Sequence, residues 1–190
     1  MNSYNIMIVG VGGQGSLLAS RLLGNLFVAE GYDVKLSEVH GMSQRGGSVV
    51  TYVRAGDVVF SPIIEPGEAD YILSFEKLEA LRYAKYLRRG GGIVTGEREI
   101  DPMSVTCGNA EYPADIIGEL RRAGIEVDSI DATAIAEAAG SAKAENVALI
   151  GRLSLRLGIP EERWLEAVKA SVPAKMYDIN CAAFKGGRGE

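Results

Sequence analysis

Over its first hundred residues the chain alternates short apolar runs with stretches of helical spacing. Residues 5–9 form an apolar run that breaks at glycine, as a strand buried on both faces does. Across 14–30, Leu18, Leu22, Leu26 and Ala29 recur at helical spacing, and Gly31 stands where helices commonly stop. A second strand is expected over 33–38. Residues 48–54 and 57–61 flank Ala55-Gly56, which predicts a hairpin. Residues 70–75 read as a further strand and 76–89 as a helix. That helix has Glu76 and Glu79 early and Lys85, Arg88 and Arg89 late, the polarity the helix dipole favours, and its charges are expected on a solvated face. Gly90-Gly91-Gly92 would end it, with 93–95 the next strand.

The second half is richer in helical patterns. Helices are expected over 114–123, 132–139 and 145–157, each followed by glycine (Gly124, Gly140, Gly158), with a strand over 125–130. Pro160 occupies a first-turn position ahead of a helix over 161–171, and a last helix is expected over 175–184. The glycine-rich 186–189 reads as a frayed tail. With no repeat and no linker, the pattern implies a single α/β domain over 1–190. Its sheet is mostly parallel with a hairpin, helices cover both faces, and the C-terminal part is helical.

Composition narrows the function classes. The 20 Lys+Arg against 25 Asp+Glu give a net charge of −5, which argues against a nucleic-acid or anionic-membrane surface. No apolar run approaches the ~18 residues of a membrane span, and no leader pattern opens the chain, so a cytoplasmic protein is expected. One histidine and two distant cysteines, Cys107 and Cys181, cannot supply an iron–sulfur or zinc ligand set, so no metal site is expected. Glycine is the outlier: 24 of 190 residues, against a usual share of about 7%, demand specially shaped backbone somewhere.

Two loops concentrate it. Gly10-Val11-Gly12-Gly13-Gln14-Gly15 follows a strand and opens a helix, the context in which G-x-G-x-x-G cradles an anion with free backbone N–H groups. Gly10 and Gly12 would allow a tight turn close to a ligand, and Gly15 would let helix pack on strand. Glu38 stands about 20 residues further on, where a ribose-binding acid is expected. A free-standing NAD-binding protein is therefore one reading, and a turn that merely packs or meets a partner is another. The second loop runs Glu38-Val39-His40-Gly41-Met42-Ser43-Gln44-Arg45-Gly46-Gly47 and holds the only histidine. If the first two strands are parallel, both loops leave the same edge of the sheet. Arg45 could then clamp a phosphate or carboxylate, and His40 could change charge near neutral pH. No catalytic residue is assigned: the serine spacing does not fit a nucleophile elbow, and no Walker lysine follows the glycine loop.

Taken together, Gly10–Gly15 and the segment from Ser37 to Ser48 resemble the gamma-type domain of the 2-oxoacid:ferredoxin oxidoreductases, and within them the indolepyruvate type. The resemblance runs nearly end to end, through Ser61-Pro62 and residues 75–82, 146–151, 172–175 and 180–186. The glycine loop is shared across that superfamily. Residues 40–47 discriminate, since pyruvate-type members resemble one another in a more basic loop there and often carry Arg where Val11 stands. The resemblance implies a Rossmann-like fold and a subunit inactive alone. It implies a large alpha subunit carrying thiamine diphosphate and the iron–sulfur clusters, with ferredoxin reached through that subunit and coenzyme A as co-substrate. The implied reaction is oxidative decarboxylation of an arylpyruvate to an aryl-acetyl-CoA; pyruvate or a branched-chain 2-oxoacid remains an alternative substrate. A homodimer of the isolated chain is compatible with this reading.

Overall fold

A computed structural model describes residues 3–40 and 47–190, with the backbone alone at His40. Six strands form one sheet: β1 (Tyr4–Val11), β2 (Asp33–His40), β3 (Ser48–Gly56), β4 (Ala69–Ser74), β5 (Leu87–Gly96) and β6 (Glu126–Ile130), in the order β2-β3-β1-β4-β5-β6. From β1 to β6 the pairing is parallel, whereas β3 runs antiparallel to both β1 and β2. The sheet is mixed and mostly parallel, as the apolar runs imply. Because β3 lies antiparallel between them, β1 and β2 point the same way, and their carboxyl ends share one edge of the sheet.

The alternation of side chains along β1 divides the interior in two. Ile6 and Ile8 face a core built with α1 (Ser16–Ala29), α5 (Ala132–Ala138), α6 (Glu145–Ser154), α7 (Glu161–Ser171) and α8 (Tyr177–Arg188). Met7 and Val9 face the other core, closed by α2 (Lys77–Tyr83) and α4 (Ile116–Arg122). With helices covering both faces, successive residues of a central strand are all buried, which is why that strand carries no polar alternation. On the first face Trp164 and Phe184 stack at 6.0 Å between ring centres, and both side chains are fully buried.

Several expectations are corrected. Residues 57–61 form no strand, and the hairpin is β2–β3, joined through the second loop. Side chains meet the backbone of the 57–63 segment instead of a ladder: Asp33 Oδ2 accepts from Val59 N at 2.8 Å, and Arg54 Nη1 donates to Ile63 O at 2.8 Å. The helix expected over 76–89 ends at Tyr83, passes through a 3-10 turn over Ala84–Tyr86, and gives way to β5 at Leu87. Gly90-Gly91-Gly92 therefore lies inside a strand, where an irregularity sets Ala69 against Leu87 but Tyr71 against Gly92. A Cβ on Gly91 would stand 2.9 Å from Asp70 O, so the three glycines let two backbones approach.

At the C-terminus the helix runs through Arg188, so 186–189 is not a frayed tail. A Cβ on Gly187 would fall 1.8 Å from Ala148 O, and one on Gly151 would fall 2.0 Å from Phe184 O. These two glycines permit α6 and α8 to cross almost backbone to backbone. The helix expected over 145–157 stops at Ser154, and the short α3 (Met103–Thr106) has no counterpart in the sequence pattern.

Candidate functional site

The carboxyl edge of the sheet gathers the glycine loop, the ends of β2 and β4, and the start of β3. Gly15 caps α1 in the left-handed region at φ 87°, and Gly13 has φ 101°, conformations that favour glycine. The six-residue motif divides by role. Gly10 lies within β1, where a Cβ would meet Gln14 Oε1 at 2.8 Å and Phe75 Cβ at 3.2 Å. Its missing side chain makes room for Gln14 and Phe75. Gln14 is a brace: its Oε1 accepts from Val11 N at 2.7 Å, and its Nε2 donates to Phe75 O at 3.0 Å, tying the loop to the end of β4. Gly15 makes room for Asn146 of α6, which would lie 2.3 Å from a Cβ there and whose Nδ2 donates to Gly15 O at 3.1 Å. The helix it accommodates is α6, and packing against the strand is not what it serves.

Gly12, Gly13, Gly15, Ser16, Glu38 and Val49 surround a cleft of about 390 Å³. Glu38 Oε2 accepts from Ser16 Oγ at 3.3 Å and from Thr51 Oγ1 at 3.2 Å, so the acid sits against the first residue of α1, where the helix dipole favours negative charge. Gly12 N donates to Gly47 O at 3.0 Å. This bond joins the two loops. His40 pairs its backbone with Val49. Gly41, Met42, Ser43, Gln44, Arg45 and Gly46 lie outside the described residues.

Two groups absent from the sequence-based site lie on the same edge. On the far side of the glycine loop, Arg98, Lys143, Glu145 and Asn146 border a second cleft of about 460 Å³. Arg98 pairs with Glu145 Oε2 at 3.1 Å. The signal for Asn146 was its place in a segment that carried the family resemblance. The other group corrects the expected solvated face of α2, because Glu76 and Glu79 are both buried. Glu76 caps α2 by accepting from Glu79 N at 2.9 Å, and it takes bonds from Ile100 N at 3.2 Å and Tyr112 Oη at 2.5 Å. Burial, reinforced by that carboxylate, pushes the Tyr112 hydroxyl well above its ordinary value. Glu79 accepts from Ser48 Oγ at 2.5 Å and from Arg82 Nη1 at 2.6 Å. Desolvation nevertheless dominates and raises its carboxyl above the usual range. Ser48 adjoins Gly47, so Glu79 fastens the second loop where it rejoins the sheet.

Among the described residues no three His, Cys, Asp or Glu side chains converge as metal ligands, and no helix is long and apolar enough to cross a membrane.

Known proteins share this fold. The chain is 46% identical to the indolepyruvate oxidoreductase subunit IorB of Thermococcus kodakarensis, over 98% of this chain and 95% of that relative. The pyruvate oxidoreductase subunit PORC of Thermotoga maritima superposes with a TM-score of 0.73 at 19% identity, covering 100% of this chain and 97% of that one. A 2-oxoglutarate:ferredoxin oxidoreductase of Magnetococcus marinus gives a TM-score of 0.73 at 17% identity, covering 100% of this chain but 31% of that longer one. Residues 5–190 match the model of the pyruvate ferredoxin/flavodoxin oxidoreductase family, and the chain belongs to that family.

Proposed function

We propose that this chain is the small subunit of a thiamine-diphosphate-dependent indolepyruvate:ferredoxin oxidoreductase. The enzyme decarboxylates indolepyruvate, transfers the acyl group to coenzyme A, and passes the electrons to ferredoxin, with carbon dioxide as the other product. The observation that carries the reading is the 46% identity to an indolepyruvate oxidoreductase subunit over 98% of the chain. The division of labour follows from chemistry. An iron–sulfur cluster needs about four thiolates, and this sequence has two cysteines, Cys107 and Cys181. In this reading the clusters belong to a large partner subunit, to which the family resemblance also assigns thiamine diphosphate, and the small one works with it in the cytoplasm.

In this reading the glycine loop and residues 38–47 face the thiamine-bearing subunit and help shape the site for the 2-oxoacid or the phosphates of coenzyme A. The bond between Gly12 N and Gly47 O and the placement of Glu38 beside α1 support treating the two loops as one unit. Gly12, Gly13, Gly15, Glu38 and Gly47 form its framework, and Arg45 and His40 are assigned its chemistry toward anions.

The test is co-expression with the large subunit and an assay of indolepyruvate- and coenzyme-A-dependent reduction of ferredoxin or a viologen dye. Turnover that prefers pyruvate, 2-oxoglutarate or a branched-chain 2-oxoacid would overturn the substrate assignment. Within the active complex, Arg45→Ala should raise the KM for coenzyme A or the 2-oxoacid; unchanged kinetics with intact assembly would overturn the role of that loop.

A further inference from the structure

The exposed apolar side chains are unevenly spread. Nine large hydrophobic residues are exposed among those described: four on α1 and β2, three on the segment that follows β3, and Met103 and Leu155 elsewhere. Leu17, Val28 and Leu36 border a groove of about 430 Å³ between α1 and β2. Val39 projects from the opposite face of β2, since three residues separate it from Leu36. Val58, Phe60 and Ile63 stand on the segment that follows β3. That segment is tied down at Val59 by Asp33 and at Ile63 by Arg54, so Phe60, 95% exposed, is held out from a fixed backbone.

The strand these groups surround is an open edge. All eight residues of β2 pair with β3 in unbroken register, and none of them is proline or glycine. Its outer side pairs with no strand among the described residues. Such an edge offers a ready template for another chain. A second copy of this chain fits it poorly. A twofold pairing centred on Leu36 sets Glu38 opposite Val34 and Asp33 opposite Val39, and one centred on Ser37 sets Leu36 opposite Glu38 and Lys35 opposite Val39. Charges then face apolar side chains in both central registers, with no cross-strand ion pair gained.

We propose that the β2 edge is the docking surface for the large subunit, which adds an extended segment alongside β2 and covers both the α1–β2 groove and Phe60. This rests on the subunit reading above. The Magnetococcus chain supports that occupant, because the unit like this one fills only 31% of it and the remainder belongs to the same polypeptide.

The experiment uses the co-expressed complex, the purified large subunit and the full small chain. The double variant Val28→Glu with Phe60→Glu should keep the wild-type thermal midpoint and lose at least 100-fold in affinity for the large subunit, while Met103→Glu binds normally. Hydrogen exchange should show the amides of 33–39 becoming protected in the wild-type complex. Normal binding by the double variant, unprotected β2 amides in the complex, or a β2-protected homodimer of the isolated chain would each overturn the proposal. A wild-type chain that forms no complex and supports no turnover would instead overturn the subunit reading, and this proposal with it; an active complex unaffected by the double variant overturns the docking surface alone.

Discussion

At the β6 edge of the sheet the chain covers its own backbone. Arg121 Nη2 donates to Val127 O at 3.1 Å, Arg152 Nε reaches both oxygens of Asp128 at 2.9 Å, and Arg156 bonds Asp128 at 3.2 Å and also pairs with Glu126. Beside it, α6 and α8 cross through Gly151 and Gly187. At the β2 edge the strand pairs on one side only among the described residues, with Lys35 held on Asp33 at 2.5 Å and the side chains of Leu36 and Val39 exposed. Charged edges and covering side chains are the usual defences against strand pairing. The chain covers the β6 edge with its own arginine side chains, whereas β2, which also carries Asp33, Lys35 and Glu38, has no strand beyond it among the described residues. Substitutions at the two edges can separate stability from the proposed association.

The largest effect is expected deep in the closed half. Gly187→Val would drive a side chain into the backbone of α6, costing about 3 kcal/mol or more through overpacking. A large drop in the urea midpoint checks this, and a normal midpoint would mean that α8 can slide outward. Next, Asp128→Ala strips Arg152 and Arg156 of a carboxylate whose side chain is only 11% exposed. A loss of about 2 kcal/mol is expected, since charged hydrogen bonds are broken but the arginines keep some water. The same denaturation series measures it, and affinity for the large subunit should not change. On the open side, Val28→Lys should shift stability by no more than about 0.5 kcal/mol, as surface changes do. A clear destabilisation there would show that the groove belongs to the fold and would erase the contrast between the edges.

Much of the fold was legible because its signals were local. The run ending at Gly10, the helical spacing of Leu18, Leu22 and Leu26, and the glycines with positive φ at 31, 124, 140 and 158 marked elements without reference to anything distant. What failed depended on tertiary partners. Gly90-Gly91-Gly92 has the composition of a helix stop, but Asp70 O crowds Gly91 from a neighbouring strand that no local pattern reveals. Gly187 resembled tail because its reason, the backbone of Ala148, lies across a helix interface. The site behaved likewise. Two loops meeting at one edge followed from the direction of β1 and β2, whereas Gln14 as a brace and Asn146 under Gly15 required knowing what packs beside them. Glu76 and Glu79 misled for the same reason. Early acidic residues in a helix fit the dipole, and only the approach of Ser48, Ile100 and Tyr112 buries them.

Glu79 joins the two halves, since it projects from α2 and holds Ser48 at the start of β3, and its titration gives the finest test of that link. Its folded carboxyl lies above the ordinary glutamate value of 4.5, with desolvation the largest cause. Below that value both folded and unfolded forms are protonated, and the group is neutral with respect to stability. As pH rises through 4.5 the unfolded chain releases this proton while the folded chain retains it, so folding loses stability until pH passes the raised folded value. Opposing this, Arg82 at 2.6 Å and the Ser48 hydroxyl favour the carboxylate. Glu79→Gln keeps the shape and removes the proton linkage. The stability of the natural chain minus that of the variant should therefore fall as pH rises from 4.5, then level off once the folded carboxyl ionises. Urea denaturation of both proteins across pH 4 to 8, with the range chosen to span about the ordinary carboxyl value and neutrality, measures the difference directly. A difference that instead grows with pH would mean that Arg82 and Ser48 outweigh burial, and that the Ser48 hydroxyl is held by a carboxylate and not by a carboxylic acid.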